Sequence, residues 1–172
     1  MGYHTAFVLE DGSAVAVGAN ASGQCEIPPL RRGKQYVAAV AGIFHTVLLL
    51  DDGTACAVGA NASGQCSVPR LAEGDRYISA AAGAGHTLLV LESGDAVAVG
   101  HKGAGRCEVP KKSGGDKYVK AAAGTAHSVL IKDNGEAVLF GKNDFGQAKA
   151  PELEPGWKSD IALHVTYGRS PG

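Results

Sequence analysis

The sequence has almost no net charge and no long apolar run, and each absence excludes a class of protein. Its 172 residues include 16 basic and 17 acidic side chains, which gives a net charge of -1. A nonspecific nucleic-acid binder normally has a clear basic excess, because contacts to phosphates supply its affinity. No window of about 18 apolar residues is present to span a bilayer. We therefore expect no nucleic-acid partner and no transmembrane segment, with peripheral membrane association left open.

Patterns of catalytic and metal-binding residues are missing as well. The four cysteines form no Cys-x-x-Cys pair, which excludes zinc ribbons. No candidate nucleophile has a partnered base, and most carboxylates are single turn residues such as Asp11, Asp52 and Asp133. The sequence therefore predicts a protein that is not an enzyme and that needs no cofactor.

Glycine, by contrast, is abundant and recurs at a fixed interval. The chain has 25 glycines, double the usual share of about 7%. Several columns recur every 41 residues without an insertion, namely His4, His45, His86 and His127; Gly12, Gly53, Gly94 and Gly135; and Pro28, Pro69, Pro110 and Pro151. A period of this length is typical of stacked repeat architectures.

Each copy of the repeat carries the signals of a β-hairpin. A turn dipeptide such as Asp52-Gly53 separates an apolar run from a second run that is rich in small residues. A third run, for example Tyr36 to Ala41, comes before both. The glycines and prolines disfavour a helical solenoid, and no amphipathic helix has start and stop signals. The sequence therefore predicts an all-β propeller of about four blades, each with three or four antiparallel strands.

The predicted domain covers residues 1–156 and contains four tandem repeats. The repeats span 4–28, which lacks its first strand, 36–69, 77–110 and 118–151. Residues 157–172 form a tail in which 161–165 could supply a closing strand. If that strand completes the first blade, a small ring closes; otherwise the chain is an open arc with exposed strand edges.

Several motifs of the repeat match those of a known superfamily. They are Gly42-x-x-His45-Thr46, then Asp52-Gly53, then Gly59-x-Asn61-x-x-Gly64-Gln65. This pattern resembles the repeat of the regulator of chromosome condensation superfamily over about residues 2–151. The Gly-Gln-Cys-x-x-Pro ending is similar to the compact repeats of dinoflagellate proteins and of a bacterial propeller that inhibits β-lactamases. The resemblance implies the propeller fold, whereas the functions in the superfamily range from nucleotide exchange to inhibition and scaffolding.

The repeated histidines His4, His45, His86 and His127 have two interpretations. A closed ring would aim all four rings at its axis, where neutral imidazoles would be good metal ligands. Each unit of a stacked repeat contacts only its neighbours, however, so a repeated contact appears as a repeated residue. We predict the structural role, in which each histidine hydrogen-bonds its own blade or the next one, and we expect no bound metal.

The cysteines and the glycine-rich loops also recur with the repeat. Cys25, Cys66 and Cys107 form one column, and equivalent positions in neighbouring blades lie too far apart for a disulfide. We expect small, buried, apolar residues there. Free thiols favour a reducing intracellular compartment, which includes an organelle such as a plastid if a targeting segment has been removed. The amides of the Gly-x-Asn-x-x-Gly-Gln loops are predicted to satisfy turn backbone groups rather than to bind phosphate.

The joints between repeats vary most and contain the candidate partner-binding residues. These are Arg31, Arg32 and Lys34 in the first joint, Arg70 and Arg76 in the second, Lys111, Lys112 and Lys117 in the third, and Glu152, Glu154 and Trp157 after the last repeat. Equivalent joints would lie on one rim of a propeller, which would grade from basic to acidic. Solvated loops have the same composition, so an ordinary surface and a partner-binding rim are both open.

The sequence as a whole predicts a noncatalytic protein-interaction or scaffold module, an accessory subunit of a larger assembly. The repeated framework is fixed and the loops differ, and an open arc needs a partner or a second copy to cover its terminal strands. The resemblance adds two alternatives. A guanine-nucleotide exchange factor for a small GTPase would need a full face with a loop wedge, whereas these joints are short. A protein inhibitor of an enzyme would benefit from aromatic anchors, which the joints largely lack.

Overall fold

In the part of the chain that the computed structural model describes, all regular structure is β-strand, apart from one short 3-10 turn at Gly103–Gly105. The structure describes residues 4–149. The strands in chain order are β1 (His4–Val8), β2 (Ala14–Gly18), β3 (Tyr36–Ala41), β4 (His45–Leu50), β5 (Ala55–Gly59), β6 (Tyr77–Ala82), β7 (His86–Leu91), β8 (Ala96–Gly100), β9 (Tyr118–Ala123), β10 (His127–Lys132) and β11 (Ala137–Gly141). The predicted all-β class is confirmed. No helix within residues 4–149 has the length and apolarity needed to cross a membrane.

The strands form four antiparallel sheets that follow one another along the chain. The first sheet pairs β1 with β2, and each of the other three places its middle strand, β4, β7 or β10, between its two neighbours. Each complete repeat is therefore a three-stranded meander. Within residues 4–149 the first sheet has two strands, and β1 and β2 correspond in register to β4 and β5 of the second sheet.

The sheets stack face to face because side chains alternate along each strand. Val47 and Leu49 of β4 point toward the third sheet and share an apolar cluster with Leu89 of β7. One repeat later, Leu88 of β7 shares a cluster with Leu130 of β10. Every sheet thus has one face directed at the preceding sheet and one directed at the next. Within residues 4–149 the four sheets form an open arc, which does not close between the first sheet and the fourth. The predicted closing strand at 161–165 lies outside the described residues.

Tight turns occur at the predicted hairpin glycines, Gly12, Gly53, Gly94 and Gly135, all with positive φ. These glycines are also close to the following repeat. The amide of Tyr77 donates to the carbonyl of Gly53 at 2.8 Å. A Cβ placed on Gly53 would lie 2.6 Å from the Cβ of Arg76. The hairpin turn of one blade therefore fixes the position at which the next blade begins.

We predict that Gly53→Ala lowers the free energy of unfolding by about 2–4 kcal/mol, and that Gly74→Ala lowers it by about 1 kcal/mol. Both glycines have a φ of +83°, so the backbone penalty is the same. A Cβ at Gly53 collides with Arg76, whereas a Cβ at Gly74 has no heavy atom within 4 Å. Denaturant unfolding of both variants measures the difference. Equal decreases in the free energy of unfolding for the two variants would contradict the prediction, because they would mean that the joint moves away from the turn at no cost.

Candidate partner-binding surface

A histidine on one sheet is hydrogen-bonded to a hydroxyl on the next. Nε2 of His45 lies 2.8 Å from Oγ1 of Thr87, and that hydroxyl donates to the backbone carbonyl of Gln65 at 2.7 Å. Because Thr87 gives its only hydroxyl proton to the carbonyl, the Nε2–H of His45 must be the donor to Thr87. We call this set of histidine, hydroxyl and carbonyl the inter-blade latch.

The latch is present at all three junctions within residues 4–149. At the first junction it joins His4 to Thr46 at 2.7 Å and Thr46 to the carbonyl of Gln24 at 2.7 Å; at the third it joins His86 to Ser128 at 3.0 Å and Ser128 to the carbonyl of Arg106 at 2.8 Å. A sequence signal for the hydroxyl exists, because a threonine or serine follows the histidine in every copy. Sequence reasoning singled out the histidine and missed its partner.

Glycine makes room for the latch histidine. A Cβ on Gly42 would lie 2.9 Å from Cε1 of His45 and 2.6 Å from the carbonyl oxygen of Gly83 in the next blade. The amide of Gly42 also donates to the carbonyl of His45 at 2.8 Å. The Gly-x-x-His motif therefore occurs where two backbones approach each other closely beside a buried imidazole. Only a residue without a side chain fits this position.

Burial keeps the latch rings neutral. Desolvation lowers the pKa of His45 and of His86 to about 4, and it also lowers the pKa of His4. Nδ1 of each of these three rings has no hydrogen-bond partner among the described residues. Across residues 4–149 no three His, Cys, Asp or Glu side chains come together as a possible metal site. Each ring serves one junction, and its Nε2 is already bound to a hydroxyl.

The Gly-x-Asn-x-x-Gly-Gln loops lie at the same end of the sheets as the latch, which we call the latch end. Their side-chain amides bond to backbone groups of the turn, as the sequence predicted. Oδ1 of Asn61 accepts the amide of Cys66 at 2.9 Å, and Oε1 of Gln65 accepts the amide of Ser63 at 3.0 Å. Equivalent bonds occur in the first and fourth copies, so this prediction is confirmed. In the third copy Lys102 replaces the asparagine, and Nδ1 of His101 accepts the amide of Gly103 instead.

The cysteine column differs from the predicted apolar filling. Cys25, Cys66 and Cys107 are half-buried. The thiol of Cys66 lies 3.2 Å from the carbonyl oxygen of Ala60, and Cys25 and Cys107 make the same contact six residues upstream. Burial raises the pKa of Cys66 to about 11, which keeps the thiol protonated and unreactive. Each thiol of the column therefore stabilises its loop by donating a weak S–H hydrogen bond to a backbone carbonyl.

A tyrosine fixes the shape of each joint. The hydroxyl of Tyr36, at the start of β3, donates to the carbonyl of Pro28 at 2.9 Å. The same bond joins Tyr77 to Pro69 at 2.9 Å and Tyr118 to Pro110 at 3.0 Å. Because both ends are tied, each joint is a closed loop of set shape rather than a loose linker.

The joints lie at the same end of the sheets as the hairpin turns, and we call this end the joint rim. The amide of Asp51 in a hairpin donates to the carbonyl of Gln35 in the joint at 2.9 Å. The same bond joins Glu92 to Arg76 and Asp133 to Lys117. Acidic hairpin residues therefore lie beside the basic joints, so charges of both signs alternate along the rim.

The candidate residues of the joints divide into two groups. Four contact other residues of the rim: Lys34 pairs with Asp52 at 2.8 Å, Arg76 donates to the carbonyl of Asp51, Lys112 pairs with Asp95 at 2.6 Å, and the stem of Lys117 packs on the turn at Gly94. Arg31, Arg32, Arg70 and Lys111 are exposed, and their side chains have no partner among the described residues. Glu152, Glu154 and Trp157 lie outside those residues.

A groove runs beside the first joint. It has a volume of about 380 Å³, and its walls include Pro28, Leu30, Arg31, Asp52 and Cys56. Its entrance therefore combines apolar side chains with a free guanidinium. The groove is large enough to receive a side chain of another protein.

The fold has clear relatives among solved structures, although no protein-family model and no curated protein matches the chain. Prp20p of Saccharomyces cerevisiae, which is yeast RCC1, is 22% identical over 80% of this chain and 43% of its own, with a TM-score of 0.68. Human WBSCR16 is 19% identical over 80% and 44%, with a TM-score of 0.67. The CRINKLY ectodomain of the Arabidopsis thaliana receptor kinase ACR4 is 19% identical over 81% and 50%, with a TM-score of 0.61.

These similarities confirm the fold that the repeat motifs predicted, a propeller of the regulator of chromosome condensation type. The chain spans less than half the length of Prp20p and of WBSCR16. Residues 4–149 contain four sheets of this kind, arranged as the open arc described above.

We expect the free energy of unfolding to fall by several kcal/mol as the pH decreases from about 6.5 to about 4. The folded pKa of His45 and His86 is about 4, whereas an unfolded histidine titrates near 6.5. In this window the unfolded chain binds protons first, so acidification favours it. Denaturant unfolding at about pH 7, 5.5 and 4.5 follows the loss.

A double variant separates the latch from other titrating groups. His45→Gln/His86→Gln keeps an amide donor for each hydroxyl but has no ring to protonate, so most of this pH dependence should disappear. His101→Gln, at an exposed position outside the latch, is the matched control and should keep the pH dependence of the wild type. A pH dependence that persists in the double variant would contradict the assignment to the latch.

Proposed function

We propose that the chain is a noncatalytic protein-interaction module and that it serves as an accessory subunit of a larger assembly. The observation that carries this proposal is the joint rim. Its loops are closed by the tyrosine-to-proline bond, and they present exposed basic side chains without partners beside a groove. A surface of set shape loses little conformational entropy when it binds, which favours recognition of a partner.

The charge of the free residues indicates the kind of partner. Lys34 and Lys112 are already paired with hairpin carboxylates. Arg31 and Arg32 in the first joint remain available to an acidic protein surface. Such complementarity accelerates encounter and fixes the orientation of the complex. We therefore infer a partner that places carboxylates over the first joint and an apolar side chain in the groove.

A structural relative supports this class of function. The yeast protein Prp20p binds Gsp1p and histones, and Kap60 has been seen bound to it. All three are protein partners. At 22% identity the similarity to Prp20p concerns the fold alone. The partner of this chain therefore has to be inferred from its own loops. The exchange-factor and inhibitor alternatives have no observation of their own in residues 4–149.

We expect charge reversal in the first joint to weaken partner binding by about tenfold or more. The test compares three immobilised chains that are exposed to an extract of the source cells: the wild type, Arg31→Glu/Arg32→Glu, and Lys102→Glu/Lys149→Glu. The last variant makes the same change in net charge at the latch end of the sheets, so it controls for nonspecific electrostatics.

The binding partner is the protein that the wild type and the control retain and that the first-joint variant loses. Its affinity for the three purified chains then gives the size of the effect. The thermal transitions should coincide, because the side chains of Arg31 and Arg32 are exposed and make no hydrogen bond or ion pair with a described residue. If all three chains retain the same proteins with equal affinity, the joint rim is not the binding surface.

A further inference from the structure

The glycine-rich loop of the third repeat, residues 101–107, lacks the two side-chain acceptors that the other three loops share. In each of those loops an asparagine oxygen accepts one backbone N–H and a glutamine oxygen accepts another, as described above for Asn61 and Gln65. In the third loop Lys102 and Arg106 occupy these two positions. Neither side chain has an acceptor atom. We call residues 101–107 the third loop.

Two backbone N–H groups of the third loop are left without these acceptors. The N–H of Cys107 corresponds to the one that the asparagine binds in the other loops, and the N–H of Ala104 to the one that the glutamine binds. Neither makes a hydrogen bond with a described residue. The tight turn is kept, because the amide of Gly105 donates to the carbonyl of Lys102 at 3.2 Å, as in the other three loops.

The peptide unit between Gly103 and Ala104 is turned over relative to the other loops. Its carbonyl accepts Nε of Arg106 at 2.8 Å, whereas in the second loop the N–H of the same unit faces Gln65. Ala104 has a φ of +58°, the one positive φ at a non-glycine residue in the described part of the chain. Because N–H and C=O point in opposite directions in a trans peptide, the N–H of Ala104 is directed away from Nε of Arg106.

The imidazole of His101 folds against the same loop. Its Nδ1 accepts the amide of Gly103 at 3.1 Å, and a Cβ on Gly103 would lie 2.5 Å from Cε1 of the ring. The other loops have alanine or aspartate in place of this glycine. Because Nδ1 is the acceptor, the proton of the neutral ring is on Nε2. This N–H is a further donor without a partner among the described residues.

Two cations lie close to the N–H of Cys107. Lys102 is exposed, and Nη1 of Arg106 donates to the carbonyl of Thr125 at 3.3 Å, which holds the guanidinium against the loop. Burial raises the pKa of Cys107, and the positive charges of Arg106 and Lys102 oppose that rise. The one carboxylate beside the turn is Glu108, so the two cations leave this region with a positive charge.

We propose that the third loop binds a phosphate monoester group. A phosphate oxygen at the position of the replaced asparagine oxygen would accept the N–H of Cys107 beside the ammonium of Lys102. The group carries up to two negative charges and three strong acceptor oxygens, so the N–H of Ala104 and Nε2 of His101 can be donors to it as well. Backbone N–H groups combined with Lys and Arg side chains are the usual ligands of such oxyanions.

The distribution of charge favours a single phosphoryl group over a polyanion. A nucleic-acid backbone or an anionic membrane needs positive charge over an extended surface, whereas this chain has a net charge of -1. The first and fourth loops, at the same latch end, carry Glu26 and Asp144. The site lies at the opposite end of the sheets from the joint rim, so it does not depend on the proposed function.

Isothermal titration calorimetry on the full chain tests the proposal at about pH 7.5, where a phosphate monoester is a dianion. The probes are inorganic phosphate and a short phosphoserine peptide. The wild type should bind them with a dissociation constant of about 1 mM or below. Lys102→Asn/Arg106→Gln restores the two acceptors of the other loops and removes both cations, so it should weaken binding by about tenfold or more.

A matched control removes the same charge from the neighbouring loop. Lys142→Asn/Lys149→Gln changes two exposed lysines at the latch end and should bind the probes as the wild type does. Lys102→Asn/Arg106→Gln should be at least as stable as the wild type, because two N–H groups regain acceptors. Adding about 10 mM phosphate should raise the thermal transition of the wild type and leave that of Lys102→Asn/Arg106→Gln unchanged.

The two probes also distinguish the sources of the phosphoryl group. Tighter binding of the phosphoserine peptide than of inorganic phosphate, with no binding of the unphosphorylated peptide, would identify a phosphorylated side chain of a protein. Equal affinity for both probes would identify a free phosphorylated compound. Either result supports a phosphate site in the third loop.

Three results would overturn the proposal. They are no binding of either probe at about 10 mM, equal binding by the wild type and Lys102→Asn/Arg106→Gln, and tighter binding of an oligothymidylate without terminal phosphates than of the phosphoserine peptide. The last result would assign the loop to a nucleic-acid surface. The joint rim is tested separately, because Arg31→Glu/Arg32→Glu should bind phosphate normally, whereas Lys102→Glu/Lys149→Glu should lose phosphate and keep the partner of the joint rim.

Discussion

The arc depends on one constraint, which is that two backbones and an imidazole share a small space at each junction. The hydroxyl of the next blade has a single proton, and it gives that proton to a backbone carbonyl. It must then receive a proton from the histidine, which fixes the tautomer and the orientation of the ring. Apolar packing tolerates a small shift of one sheet along the next, whereas a directional hydrogen bond does not. The latch therefore sets the register of one sheet on the next.

The two ends of the sheets have separate tasks. At the latch end, buried polar groups repeat without much change, because a substitution would leave a hydroxyl or a carbonyl unsatisfied away from water. At the joint rim, tyrosine and glycine fix the course of the chain, and the remaining positions are free to differ. Ion pairs such as Lys34 with Asp52 neutralise part of the rim. The residues that they leave unpaired define what the surface can recognise.

The two ends of the described arc differ from each other. Within residues 4–149 no sheet precedes the first one, and His127 of the fourth sheet has no hydroxyl partner there. Stacked repeats always have two unlike ends of this kind. In longer propellers ring closure joins the ends within one chain. Within residues 4–149 the ends stay apart.

The amino-acid sequence by itself determined the period, the hairpins, the all-β class and the kind of propeller. These features follow from short motifs that recur with the repeat, such as Asp52-Gly53 in a tight turn and Gly42-x-x-His45 at a strand start. Such motifs can be recognised in the sequence because they depend on residues that are close together in the chain. Only the tertiary structure decided which basic side chains are free. Lys112 is paired because Asp95 arrives from a hairpin that is distant in sequence, whereas Arg31 meets no such carboxylate. Likewise Phe7 is exposed and Leu48 is buried, although both occupy the same column of the repeat. Their difference comes from position along the arc, because burial depends on whether a neighbouring sheet exists to cover the residue.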